Sequence, residues 1–82
     1  MQIRLFIKSG CPWCHEAIDW LQQRGLPFTL LDVNRDATAR AEMLELTGQS
    51  KAPSIDVDGE ILADFGADEL EAWWKQKKLP LP

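Results

Sequence analysis

Apolar residues along this chain alternate between short runs and a three- and four-residue beat. Ile3-Arg4-Leu5-Phe6-Ile7-Lys8 is such a run, closed by Ser9-Gly10, and predicts a buried strand. Over residues 12–24 the pattern turns helical: Cys14, Ala17, Ile18 and Leu21 recur at helical steps and share one face. Pro12 suits the first helical position, where its missing N–H is no loss, and Gly25 and Pro27 end the helix. Phe28-Thr29-Leu30-Leu31-Asp32-Val33 predicts a second strand. Residues 36–47 predict a second helix, with Ala37, Ala41 and Leu44 on one face and Gly48 as its stop. Ser54-Ile55-Asp56-Val57 and Glu60-Ile61-Leu62-Ala63 are two short strands. Asp58-Gly59 between them predicts a tight hairpin, because a primed turn needs positive φ. Residues 67–77 predict the last helix, with Leu70, Trp73, Trp74 and Lys77 along one side. Asp68 and Glu69 in its first turn and Lys75, Lys77 and Lys78 at its end match the helix dipole. The tail Leu79-Pro80-Leu81-Pro82 cannot continue it.

The predicted order is β-α-β-α-β-β-α. The first βαβ unit demands parallel strands, and the hairpin adds antiparallel ones. The expectation is an α/β fold: one mixed four-stranded sheet with helices on both faces, in a single domain over residues 1–82. A chain this short buries only about 60–65% of its unfolded surface, so the core is thin but feasible without staples. Its 45% hydrophobic content argues against disorder. No run approaches the roughly 18–20 apolar residues of a membrane span. The net charge of −4 gives no footprint for nucleic acid. Met1-Gln2-Ile3-Arg4 does not read as a signal peptide, so a soluble, cytoplasmic monomer with no membrane partner is expected.

Both cysteines of the chain lie in Cys11-Pro12-Trp13-Cys14. A loop this short is a poor staple, because closing it constrains little of the unfolded chain. That points to chemistry at the two sulfurs. Cys11 falls where the first strand meets the first helix, facing unpaired backbone N–H groups and the positive end of the dipole, both of which favour a thiolate. Cys14, nearly one turn on, lies on the inward face. The placement predicts a division of labour: Cys11 attacks a disulfide, and Cys14 resolves the mixed disulfide that results. Lys8 adds positive potential nearby, or is a solvated strand end.

Other readings of these residues compete. A zinc site wants four ligands, and two cysteines with the single His15 do not fill one in a monomer; no metal is expected. An inert pair or structural disulfide sits poorly at a strand-to-helix junction. Cys11-Pro12-Trp13-Cys14-His15 formally matches the c-type haem attachment pattern, but that pattern comes with an export signal and a second axial ligand. Met43, the only internal methionine, reads as helix core.

Taken together, these motifs resemble the glutaredoxin family within the thioredoxin fold, over nearly the full length. Phe6-Ile7-Lys8-Ser9-Gly10-Cys11-Pro12-Trp13-Cys14 is similar to the family's strand, lysine and active-site turn. Gly25-Leu26-Pro27-Phe28 resembles its link into the second strand, and Ala52-Pro53-Ser54-Ile55 and Val57-Asp58-Gly59 resemble its proline segment and hairpin. The resemblance implies a thiol–disulfide oxidoreductase with no bound cofactor, acting on protein or small-molecule disulfides. Glutathione as co-substrate, or a reductase, would be the electron donor. It further implies that Pro53 is a cis-proline facing the cysteines, leaving the Ala52 backbone free to pair with a substrate strand. After the hairpin the chain carries Ala63-Asp64-Phe65-Gly66-Ala67-Asp68, where many glutaredoxins have Gly-Gly followed by polar and acidic residues that hold glutathione. In this it is similar to NrdH-type redoxins and small bacterial glutaredoxin-like proteins. Lys8, Pro12, Trp13, Ala52, Pro53, Asp64 and Phe65 are therefore the candidate substrate-binding residues beside Cys11 and Cys14. Asp64 or Asp68 is a candidate partner for an ammonium group.

Two alternatives follow from the same resemblance: glutathione-dependent deglutathionylation using Cys11 alone, and a dimer sharing an iron–sulfur cluster. Pro12 argues against the second. Trp13 and Trp20, seven residues apart, are expected on the outer side of the first helix, with Trp13 bordering the substrate groove and Trp20 packed at the rim. Trp73 and Trp74 are expected at the core and edge of the last helix. Asp56, mid-strand, is expected to be exposed; buried, it would be a proton relay candidate near Cys14.

Overall fold

β1 (Ile3–Ile7) is the strand on which the rest is assembled. It pairs on one side with β2 (Thr29–Asp32), in parallel, and on the other with β3 (Ser54–Val57), antiparallel. β3 turns back into β4 (Glu60–Ala63), giving the order β2-β1-β3-β4. The helices α1 (Pro12–Gln23), α2 (Ala37–Thr47) and α3 (Ala67–Gln76) complete the expected β-α-β-α-β-β-α sequence. This computed structural model describes residues 1–81; Pro82, the end of the tail predicted to stop the last helix, lies outside them. No helix among the described residues is long and apolar enough to cross a membrane.

β1 is apolar at every position but Arg4 because both of its faces are packed. Ile3 and Leu5 point into the larger core, with Ile55 and Val57 of β3, Ala17, Trp20 and Leu21 of α1, and Leu70, Trp73 and Trp74 of α3. Phe6 points the other way, into a smaller core with Val33, Ala39 and Met43. Each fully buried side chain of this size contributes roughly 1.5–3 kcal/mol. α1 and α3 thus cover one face of the sheet and α2 the other.

Local signals set the boundaries. α1 ends with Gly25 N–H donating to Gln22 O (3.1 Å) and Leu26 N–H donating to Leu21 O (3.1 Å), the paired bonds of a Schellman stop. In the hairpin Asp58 and Gly59 take φ of 50° and 91°, the two positive values a type I′ turn needs.

Three expectations are corrected. First, α2 does not bury Ala37, Ala41 and Leu44; Leu44 is 41% exposed, and the inward residues are Ala39 and Met43. Small residues on several sides of this helix leave no decisive stripe in the sequence. Second, Trp20 is not on the rim. It shares Trp13's side of α1, but where Trp13 meets only the glycine at the start of α3, Trp20 is buried against Trp74 with ring centroids 5.3 Å apart. Arg24 stacks over its outer side at 3.9 Å and pairs with Glu71. Third, Asp56 is not exposed but 9% accessible. It faces Arg4, its antiparallel partner, which donates to Asp56 Oδ2 from Nη2 (2.7 Å) and Nε (3.1 Å) and also pairs with Glu42 of α2. Asp56 Oδ1 accepts from Gly59 N–H at 2.8 Å, anchoring the hairpin. Its bonds are thus to the arginine and the hairpin turn.

Candidate active site

β1 releases the chain into Lys8-Ser9-Gly10. Gly10 takes φ of 73°, a left-handed conformation that costs a side chain-bearing residue more than glycine. The turn delivers Cys11 to the N-cap of α1 with φ −99° and ψ 110°, and Pro12 to the first helical position. Cys14 N–H donates to Cys11 Sγ at 3.2 Å, and His15 N–H donates to Cys11 O at 3.2 Å. The sulfur therefore stands where a serine or aspartate oxygen stands at an ordinary helix start. A backbone donor and the dipole end both stabilise negative charge there.

The two cysteines are unbridged and differ in access: Cys11 is half-buried, while Cys14 is 1% exposed. Burial, followed by a hydrogen bond with Cys11, pushes the Cys14 thiol up from 9.0 to about 12. A backbone hydrogen bond from Lys8 and the Lys8 charge pull in the opposite direction. Lys8 is thus brought beside the pair.

Ser9 and Asp32 hold the turn from β2. Ser9 Oγ donates to Asp32 Oδ2 at 2.8 Å, and Asn34 N–H donates to Asp32 Oδ1 at 2.9 Å. The Ser9 bond is the main reason the Asp32 carboxyl lies below its usual range. Sequence reasoning did not single out Asp32 for this work. The signal was available in the parallel pairing, which sets Ile7 beside Asp32 and so brings the end of β2 to the start of the turn.

A second set of residues gathers at the β4–α3 loop. The Ala52–Pro53 peptide is cis, as the resemblance implied, and Asp64 N–H donates to Pro53 O at 2.9 Å. Asp64 Oδ2 lies 3.9 Å from Lys51 Nζ, an exposed pair of little energetic weight. Trp13, Asp64, Phe65, Gly66 and Glu69 line a cleft of about 130 Å³. Trp13, 59% exposed, lies over Gly66: a Cβ there would sit 3.7 Å from Trp13 Cε3. Phe65 is 3% exposed and packs in the larger core, so it forms the floor of the cleft rather than a free contact. Asp68 is exposed and is not part of the wall, whereas Glu69, read from sequence only as a helix-dipole residue, is. Glu69 Oε1 accepts from Gly66 N–H at 3.1 Å, the one half of a capping box that a glycine N-cap allows at the start of α3. Among the described residues no three His, Cys, Asp or Glu side chains converge on a metal-sized site, and His15 is exposed.

Comparison with known proteins places this geometry. A family model described as Glutaredoxin matches residues 3–62. An uncharacterised glutaredoxin-like 8.6 kDa protein of the rubredoxin operon of Clostridium pasteurianum is 32% identical, over 84% of this chain and 92% of that protein. Glutaredoxin 3 of Escherichia coli strain K12 is 31% identical, over 85% of this chain and 82% of its own. Among solved structures, the glutaredoxin-like protein NrdH-redoxin from Escherichia coli, described as having a thioredoxin-like activity profile, superposes with a TM-score of 0.73. It is 25% identical and covers 88% of this chain and 93% of its own.

Proposed function

The chain belongs to the glutaredoxin family, whose members are thiol–disulfide oxidoreductases, and from that premise we propose that it reduces disulfides by a dithiol mechanism. Cys11 is the nucleophile. Its thiolate attacks one sulfur of a substrate disulfide; the S–S bond breaks, the departing substrate sulfur takes a proton, and a Cys11–substrate mixed disulfide remains. Cys14 then loses its proton and attacks Cys11 Sγ, releasing the second substrate thiol and leaving a Cys11–Cys14 disulfide. Two electrons and two protons from glutathione or a reductase regenerate the dithiol. No bound cofactor takes part, and the reducing conditions of the cytoplasm are the setting in which such a dithiol is maintained.

The observation that carries this reading is the Cys14 N–H donating to Cys11 Sγ, with Cys14 itself buried beneath. It supports unequal roles at one helix start: an accessible sulfur that accepts a backbone N–H, and a sheltered thiol in position to follow. Lys8 supports the charge, and the Ala52 backbone beside Pro53 is proposed to pair with the substrate strand. Cys11→Ser is expected to abolish turnover, while Cys14→Ser accumulates a protein–substrate mixed disulfide visible by mass spectrometry. Full activity of Cys11→Ser overturns the mechanism. Full turnover by Cys14→Ser in a glutathione-coupled NADPH assay assigns the chemistry to Cys11 alone. Running the same assay with thioredoxin reductase in place of glutathione and its reductase identifies the donor.

A further inference from the structure

The cleft between Trp13 and the β4–α3 loop carries an unusual combination of walls. One is the exposed indole of Trp13, two residues from the nucleophile; the opposite wall holds the carboxylates of Asp64 and Glu69, and no cationic residue lines it. An indole face and a carboxylate recognise the same thing, a cation with an apolar stem: the ring quadrupole attracts the charge while the carboxylate pairs with it. The start of α3, which in an open helix would attract an anion, is already served by the chain's own acid, because Glu69 holds the Gly66 N–H and Asp68 stands in the same turn. An incoming carboxylate meets negative charge on this side of the site. Lys51 lies 3.9 Å from the Asp64 carboxylate, but both side chains are largely exposed, and an arriving cation can share that carboxylate.

We propose that this cleft is a specificity subsite for a lysine or arginine side chain flanking the reactive cysteine of a protein disulfide. The proposal deepens the disulfide-reductase reading and rests on it. A volume of about 130 Å³ suits the end of one long side chain rather than a folded surface. With the cation seated between Trp13 and the two acids, the neighbouring disulfide is held beside the residue that attacks it. Charge of this kind acts on encounter and orientation, so the preference fades as salt screens it.

The test uses the reduced full-length protein in single turnovers, so no electron donor has to be known. Three disulfide-linked peptides differ only in the residue beside the cysteine: Lys, Gln or Glu. The expected result is oxidation of the protein roughly three- to tenfold faster by the Lys peptide than by the Glu peptide at low salt, as exposed ion pairs and cation–π contacts of ordinary strength give. The gap closes in high salt. Asp64→Asn/Glu69→Gln should bring the Lys-to-Glu ratio within about twofold. Gln still accepts the Gly66 N–H, and Asn tolerates the positive φ of residue 64, so the backbone of the cleft is preserved. Equal rates for the three peptides in the wild type, or an unchanged ratio in the double variant, overturn the proposal. So does a double variant that slows oxidised glutathione as much as the Lys peptide, since the cleft then belongs to the tripeptide. Failure of every peptide and of oxidised glutathione to oxidise the protein instead sinks the reductase reading beneath it.

Discussion

Helices α1 and α2 begin in nearly the same way and do different work. Each N-cap residue is extended, with φ of −99° at Cys11 and −122° at Asp36, and each offers its side chain to a backbone N–H of the first turn. At α2 the acceptor is a carboxylate oxygen taking two bonds, from Thr38 N–H at 3.0 Å and Ala39 N–H at 3.1 Å. At α1 it is a sulfur taking one, from Cys14 N–H at 3.2 Å. The same unsatisfied donors that stabilise a helix when an oxygen caps them stabilise a thiolate when a sulfur does. The difference teaches that the reactive site is an ordinary helix start with a weaker cap, fed by a glycine turn and held from the side by Ser9 and Asp32.

The strongest way to break this comparison is to make the first cap resemble the second. Cys11→Ser places a good capping hydroxyl where the sulfur was. Turnover should fall to background, while stability rises by a few tenths to about 1 kcal/mol, read by urea unfolding of the reduced proteins. Loss of both activity and stability would mean that the sulfur holds the turn through contacts beyond the cap. The reciprocal change is Asp36→Ala. It should cost about 1 kcal/mol, or roughly 4–8 °C of melting temperature for a domain of this size, with turnover unchanged because the residue lies on the other side of the sheet from the α1–α3 layer. A drop in turnover comparable to the Cys11 variant would show that the two helix starts are coupled.

How legible was this in the sequence? The strand-to-helix junction was, because it rests on local signals: a closed apolar run, Gly10, and Pro12 just inside the helix. The hairpin was legible for the same reason, with Asp58-Gly59 demanding its turn. What failed was coverage. Trp13 and Trp20 lie on one stripe of α1, yet one is open and the other buried, because α3 sets the Trp74 ring against Trp20 but only its glycine end against Trp13. No periodicity encodes where a neighbouring helix stops. Asp56 failed for a related reason: its burial depends on Arg4, 52 residues away, and the pair was visible only as a lone charge in each of two apolar strands. The cleft was half legible. Asp64 and Phe65 were singled out as departures from the family pattern, but Phe65 proved to be floor, and Glu69 enters the wall because its side chain reaches back to the N–H of Gly66, the N-cap of α3.

The finest contrast lies within the α1 start itself, between its two sulfurs, and it is read far from neutral pH. The Cys14 thiol is pushed up from 9.0 to about 12, chiefly by burial. As pH rises through 9, the unfolded chain gives up this proton and the folded chain keeps it. The folded state then binds more protons than the unfolded one, and stability falls with rising pH. The contribution of the neutral buried thiol is therefore fully present below about pH 9 and is lost progressively towards 12. Reduced wild type should show this alkaline decline in denaturant midpoint, and Cys14→Ala, which has no thiol to titrate, should show a shallower one over the same interval. Background titration of lysines is common to both proteins and cancels in the difference. Identical slopes would mean that Cys14 ionises as readily folded as unfolded. The two sulfurs would then not be divided by burial, and a sheltered thiol that must lose its proton before it can resolve the mixed disulfide would no longer describe this site.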